Sequence, residues 1–70
     1  MAVYIFKTTV INQSHVKGLK SDLNKLTQKN EQWNFDLEDC DNILRIESRE
    51  PTAEKFVKVL LTKGFQCVEL

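Results

Sequence analysis

Two segments of the sequence each carry one apolar stripe at helical spacing. The stripe of the first segment consists of Val16, Leu19, Leu23 and Leu26. The stripe of the second consists of Ala53, Phe56, Val57, Leu60 and Leu61. A helix with one apolar face must bury that face against another element, and 70 residues leave room for only one small core. The sequence therefore predicts a single domain, residues 1–70, in which two helices cover a sheet.

Local signals predict where these helices begin and end. Ser14 is a favourable N-cap residue for the first helix, which we expect to end near Gln28. Pro51 is suited to the first turn of the second helix, where its missing N–H costs nothing. We expect Lys63 in the last turn of that helix and Gly64 at its C-terminal cap.

Four segments are typical of strands. Residues 3–10 are rich in β-branched and aromatic types, and residues 33–38 alternate apolar with polar side chains. After a turn at residues 39–42, residues 43–48 predict the return strand of a hairpin, and residues 65–70 predict a final strand. The order is therefore β-α-β-β-α-β. With right-handed crossovers, it predicts an α+β, ferredoxin-like βαββαβ sandwich: a four-stranded antiparallel sheet with both helices on one face.

Charge and hydropathy exclude several functions. Ten basic residues balance ten acidic ones, which argues against nucleic-acid binding, and the alternation of Trp33 and Phe35 with polar residues predicts core positions. Residues 15–30 carry a net charge of +3 and residues 31–47 a net charge of −5, so the surface is dipolar. No apolar stretch approaches the length of a membrane span or a signal peptide, and we therefore expect a cytoplasmic protein without membrane contact.

The sequence does not predict an enzyme. It contains no Ser-His-Asp or Cys-His arrangement with a supporting third group, and Gly18 and Gly64 stand too far apart for a phosphate-binding loop. The acidic run of residues 36–41 lacks the glycine and the distal glutamate of a calcium loop. We expect no cofactor, with a transition-metal ion as the one class left open.

The spacing of the first half resembles the heavy-metal-associated (HMA) domains of copper chaperones and metal-transporting ATPases. These domains carry M-x-C-x-x-C after the first strand, and Val10 stands at the position of the Met. Apolar residues follow one, four and eight places after the second Cys position, as Val16, Leu19 and Leu23 do here. The two Cys positions hold Asn12 and His15. The resemblance implies an HMA-like fold but not the family's pair of thiolate ligands for Cu(I).

The second half fits the same resemblance, which covers essentially the whole chain. Phe56 and Leu60 match the family's apolar pattern in the second helix. Gly64 and Phe65 match the glycine and aromatic residue at the family's junction between that helix and the last strand. Cys67 falls where the family places an inward apolar residue, and we expect it in the core.

Two hypotheses of function follow. The first is a non-enzymatic protein-interaction or metal-handling accessory module. The resemblance implies that docking of an acidic partner domain uses Asn12, Gln13, His15, Lys17, Lys20 and Lys63. The alternative is a divalent transition-metal binder that uses His15, Cys40 and the carboxylates of Asp39 and Asp41, within one chain or across a dimer.

Overall fold

The protein was analysed as a computed structural model, which describes residues 1–38 and 40–70. The elements in chain order are β1 (Ala2–Thr8), α1 (Gln13–Leu26), β2 (Gln32–Asp36), β3 (Ile43–Ser48), α2 (Glu50–Thr62) and β4 (Cys67–Glu69). The four strands form one sheet in the order β2-β3-β1-β4, and every neighbouring pair is antiparallel. This is the ferredoxin-like βαββαβ fold, as the sequence predicted.

The strand register explains why one face of the sheet is apolar. Phe6 of β1 lies opposite Leu44 of β3, and directly opposed residues share a face of the sheet. Phe35 of β2 lies opposite Leu44 in turn. Side chains from both helices pack on this face. The buried core consists of Phe6, Val10, Leu19, Leu23, Leu44, Ile46, Ala53, Phe56 and Leu60.

Helix α1 begins two residues earlier than Ser14 predicts. Asn12 has an extended backbone and is the N-cap residue, and its Oδ1 accepts a hydrogen bond from the backbone N–H of His15 at 2.9 Å. The prediction of Ser14 as the cap was therefore wrong, and Ser14 lies in the first turn. The helix ends at Leu26 rather than near Gln28. The Thr27 hydroxyl donates a hydrogen bond to the carbonyl of Leu23 there, at 2.7 Å.

Helix α2 begins as the sequence predicted, but it ends one residue earlier, because Lys63 rather than Gly64 is its C-cap residue. Pro51 lies in its first turn, and Lys63 caps its C-terminus. Gly64 follows with a φ of 91°, a left-handed conformation in which a side chain is strained. The N-cap residue, Arg49, makes no capping hydrogen bond with its own side chain.

A carboxylate from elsewhere in the chain takes over that capping role. Glu31 is buried in the loop before β2. Its Oε2 accepts a hydrogen bond from the Arg49 backbone N–H at 2.9 Å, and its Oε1 accepts from the Thr52 hydroxyl at 3.2 Å and the Gln28 backbone N–H at 2.7 Å. The hydrogen bond from Arg49 contributes most to lowering the pKa of this carboxyl, against the opposing effect of desolvation.

Three other expectations need correction. Strand β1 ends at Thr8, two residues before Val10, although Val10 is fully buried as a core residue. Strand β4 contains only Cys67–Glu69, because Gly64 and the following residues form the turn out of α2. Leu61 was expected on the apolar stripe of α2, but its side chain is 54% exposed. Among the residues described, no helix is long and apolar enough to cross a membrane.

Candidate functional site

Thr8 shows which loops meet at one end of the sheet. It lies opposite Cys67 of β4, and its hydroxyl donates a hydrogen bond to the carbonyl of Asn42 at 2.6 Å. The next residue, Thr9, is tied to the loop before β4, since its hydroxyl accepts from the Gln66 backbone N–H at 2.9 Å. The loop after β1, the β2–β3 connection and the loop before β4 therefore lie at the same end of the sheet.

His15 holds two of these loops to α1. Its Nδ1 accepts a hydrogen bond from the Ile11 backbone N–H at 3.4 Å, and its ring lies 4.9 Å from the ring of Phe65, measured between centroids. The two rings are tilted by 56°, a common arrangement for aromatic pairs. The half-buried imidazole thus connects the loop after β1 to the residue that follows Gly64.

The two residues at the Cys positions of the HMA motif do not fit a Cu(I) ion. The Oδ1 of Asn12 and the Nδ1 of His15 are already engaged as acceptors of backbone hydrogen bonds. An amide oxygen is moreover a hard ligand, whereas Cu(I) selects soft thiolates. Asn12 therefore caps α1, and His15 packs against Phe65.

The residues of the alternative metal site are only partly described. Cys40 is exposed and its thiol is free, and Asp39 lies outside the described residues. Asp41 lies in ion-pair range of Lys7, with 3.6 Å between Oδ1 and Nζ. Within residues 1–38 and 40–70, no group of three or more His, Cys, Asp or Glu side chains is placed to hold a metal. Binding by His15 and Cys40 stays a prediction.

Cys67 was expected in the core, but it is half-buried and lies at the edge of the core cluster. Its thiol is free, and the half-buried side chain packs against the core cluster. Desolvation raises the pKa of the Cys67 thiol to about 11. A thiol that stays protonated at neutral pH is a poor nucleophile and a poor metal ligand.

The predicted docking residues lie at the start of α1 and beside it. Asn12, Gln13, Lys17 and Lys20 are exposed, and no ion pair found in the described part of the chain involves either lysine. Lys63 differs, because its Nζ lies 3.2 Å from Oδ2 of Asp22 on α1. That ion pair links the C-cap residue of α2 to α1 and partly neutralises the charge of Lys63.

Sequence reasoning missed one residue of this surface. Ile11 precedes the N-cap residue of α1, and its side chain is 62% exposed. Isoleucine is among the residue types most often buried, so its place directly before the N-cap of α1 was the available signal. We define the docking surface as Ile11 together with the six predicted residues, which are Asn12, Gln13, His15, Lys17, Lys20 and Lys63.

Comparison with known proteins adds no relative: neither a protein-family model, nor a curated protein, nor a solved structure gives a significant match to the chain.

Proposed function

We propose that the protein is a non-enzymatic protein-interaction module of HMA-like type, which binds an acidic domain of another protein through the docking surface. One observation carries this proposal: Ile11 is exposed directly before the N-cap of α1, and the exposed Lys17 and Lys20 of that helix make no ion pair found among the described residues. Protein interfaces commonly combine an apolar centre with a charged rim.

The local hydrogen bonds supply the rigidity that docking requires. Asn12 fixes the first turn of α1, and His15 fixes the backbone of Ile11 from the other side. A surface that is already ordered loses little conformational entropy when it binds. The backbone that carries Ile11 is therefore already tied to α1 before a partner binds.

The positive charge of the docking surface favours an acidic partner. Lys17 and Lys20 lie on α1, one turn apart. Their ammonium groups attract a partner of opposite charge and raise the rate of association, an effect that salt screens. The resemblance to HMA domains supports the same surface, because that family docks through the corresponding loop and helix.

A crosslinking experiment tests the proposal. A photoreactive amino acid in place of Gln13 would capture partners in cells, and mass spectrometry would identify them. We expect a captured protein with an acidic surface, and we expect the double variant Lys17→Glu with Lys20→Glu to lose that product. Binding of the purified pair should then weaken as salt is raised.

The matched control moves the same charge change away from the docking surface. Lys29→Glu with Lys55→Glu also replaces two exposed lysines, one after α1 and one on α2. This variant should capture the partner as well as the wild type does. Equal loss in both double variants, or capture that ignores Lys17 and Lys20, would contradict the proposed surface.

A further inference from the structure

Strand β2 forms one edge of the sheet, because the order β2-β3-β1-β4 gives it β3 as its only neighbour among residues 1–38 and 40–70. An edge strand directs backbone N–H and C=O groups outward, where a further strand can pair with them. Proteins commonly protect such edges with a lysine, a proline or a bulge. The sequence of β2, QWNFD, contains neither lysine nor proline, and its register with β3 is uninterrupted. The β2 edge is therefore open to pairing.

Two aromatic side chains line this edge on the face of the sheet that the helices cover. Trp33 lies opposite Ile46 of β3. Phe35 lies opposite Leu44, and both rings are half-buried because the edge leaves their other flank without a strand. The rings are already ordered: the Trp33 Nε1–H donates to Oδ1 of Asn24 on α1 at 3.0 Å, and the two rings meet edge to face, with 5.8 Å between centroids. Burying this ordered flank costs little conformational entropy.

The sequence of β2 is complementary to that of a second, antiparallel copy. Residues whose N–H and C=O groups point outward must face each other, so the two-fold axis of such a pair passes through a residue. An axis through Asn34, the midpoint of Gln32–Asp36, pairs all five residues. It places Trp33 opposite Phe35 of the second copy, and directly opposed aromatic side chains stabilise strand pairs. The open flanks of both rings would then be covered.

The charges of this segment also fit an antiparallel copy. Asp36 would lie opposite Gln32 of the second copy, and its Oδ2 is left for the glutamine amide because its Oδ1 accepts from the Glu38 backbone N–H at 3.2 Å. The two Asp36 carboxylates would lie about 13 Å apart along the strands, beyond the Debye length of about 8 Å. Lys29, in the turn before β2, is exposed and makes no ion pair found in the described part of the chain. It lies at the end where Asp36 and Glu38 of the second copy would arrive, so opposite charges meet at both ends.

We propose that two copies of the chain associate through their β2 edges, antiparallel about Asn34, and so form one continuous sheet. Both copies contribute the same edge, so the contact closes at a dimer. Five paired residues from each copy make a small interface, which is typical of transient association. We therefore expect a dissociation constant between about 10 µM and 1 mM.

The first test measures association in concentrated solution. Sedimentation velocity from about 10 µM to 1 mM protein should show a shift from monomer to dimer. In an equal mixture of ¹³C-labelled and unlabelled chains, isotope-filtered NOE spectra should show contacts between the Trp33 ring of one copy and the Phe35 ring of the other. A chain that stays monomeric throughout, or a dimer without these contacts, would overturn the proposal.

Substitutions at the axis test the register. Asn34→Glu and Asn34→Lys each place like charges directly opposite each other in the dimer and should weaken it about tenfold. Within one chain Asn34 lies beside Arg45 of β3, so Asn34→Glu should leave the urea unfolding midpoint unchanged or raised. An equal mixture of the two variants should restore association, because the introduced carboxylate then faces the introduced ammonium group. Folded variants whose mixture stays monomeric would contradict an axis at Asn34.

The control makes the same charge changes away from β2. Gln66 is exposed in the loop before β4. Gln66→Glu and Gln66→Lys should each dimerise as the wild type does, and mixing them should add nothing. Equal weakening by the Gln66 and Asn34 variants would show that association follows net charge rather than the β2 edge, and would overturn the proposal.

Two further outcomes would assign the association to another surface. Assemblies that grow beyond two copies would indicate head-to-tail pairing of β2 with β4, which does not close. A dimer that is lost in Lys17→Glu with Lys20→Glu but kept in Asn34→Glu would form through the docking surface. Either result overturns the proposed edge. The β2 edge shares no residue with the docking surface, so failure of one proposal leaves the other intact.

Discussion

The Glu31 carboxylate accepts a hydrogen bond from the backbone N–H of Arg49, 18 positions further along the chain, at 2.9 Å. The bond joins the loop before β2 to the N-cap residue of α2. Because Arg49 makes no cap with its own side chain, Glu31 satisfies a donor that the start of α2 would otherwise leave free. A single buried side chain thus fixes where the second helix begins.

Replacing this carboxylate should destabilise the fold. Glu31→Gln keeps the shape but exchanges an acceptor oxygen for an amide that donates, so it faces the N–H and O–H donors of Gln28, Arg49 and Thr52 with one acceptor fewer. We expect a lower urea midpoint at pH 7, measured by the fluorescence of Trp33. Glu38→Gln is the control, and an equal midpoint in both variants would contradict the assigned role.

The same residue predicts how stability depends on pH. The pKa of Glu31 in the folded protein lies below its ordinary value of 4.5. Its contribution to stability is therefore fully present above about pH 4.5 and is lost as the pH falls through the folded pKa. The difference in unfolding free energy between wild type and Glu31→Gln should shrink over that acidic range. A difference that stays constant between pH 7 and pH 3 would argue against the lowered pKa.

Adjacent leucines of α2 provide a matched test of the core. Leu60 is fully buried, whereas Leu61 is 54% exposed. Leu60→Ala leaves a cavity and should cost about 2–5 kcal/mol of unfolding free energy, while Leu61→Ala should stay within about 0.5 kcal/mol of wild type. Urea unfolding followed by circular dichroism measures both. Similar losses in the two variants would mean that α2 presents a different face to the sheet.

The two glycines should respond to the same substitution with opposite signs. Gly18 lies inside α1, where an added Cβ meets nothing within 4 Å, so Gly18→Ala should stabilise the protein by about 0.5–1 kcal/mol. Gly64 has a φ of 91°, and Gly64→Ala should cost about 1–2 kcal/mol. Thermal unfolding gives both values, and a neutral or favourable Gly64→Ala would refute the left-handed turn.

Metal titration tests the alternative site of His15 and Cys40. We expect neither Zn(II) nor Cu(I) to produce saturable NMR shifts at these residues in the reduced protein under competition with a chelator, because the Nδ1 of His15 is already an acceptor. Saturable shifts that disappear in both His15→Ala and Cys40→Ser would contradict this expectation and establish a metal site.

Periodicity predicted α1, α2 and β2, while residue composition and turn signals predicted the other three strands. The apolar residues of α1 and α2 recur at helical spacing, and those of β2 alternate with polar residues. The apolar faces of the two helices must be buried, and a sheet provides the surface that buries them. Boundaries were predicted less well, since Asn12 and Ser14 are both favourable N-cap residues two positions apart. The choice between them depends on where β1 ends and on the contact of His15 with Phe65, which are properties of the tertiary structure.

Long-range polar contacts were beyond the reach of the sequence. Glu31 appeared only as one acid of a negatively charged segment, because nothing local marks it as the cap of a helix that begins at Glu50. The position of Glu69 opposite Phe6 likewise depends on the register of β4 against β1. Most residues of the proposed docking surface are close in sequence, whereas the contact of His15 with Phe65 joins segments that only the fold brings together.

The position of β1 at the centre of the sheet imposes an order on biosynthesis. Both neighbours of β1 come later in the chain: β3 begins at Ile43 and β4 at Cys67. A nascent polypeptide that stops before Ile43 has no strand with which β1 can pair, and closing such distant contacts slows folding. Strand β1 must therefore wait for the hairpin and then for β4, so the sheet is completed only after Cys67–Glu69 have been synthesised.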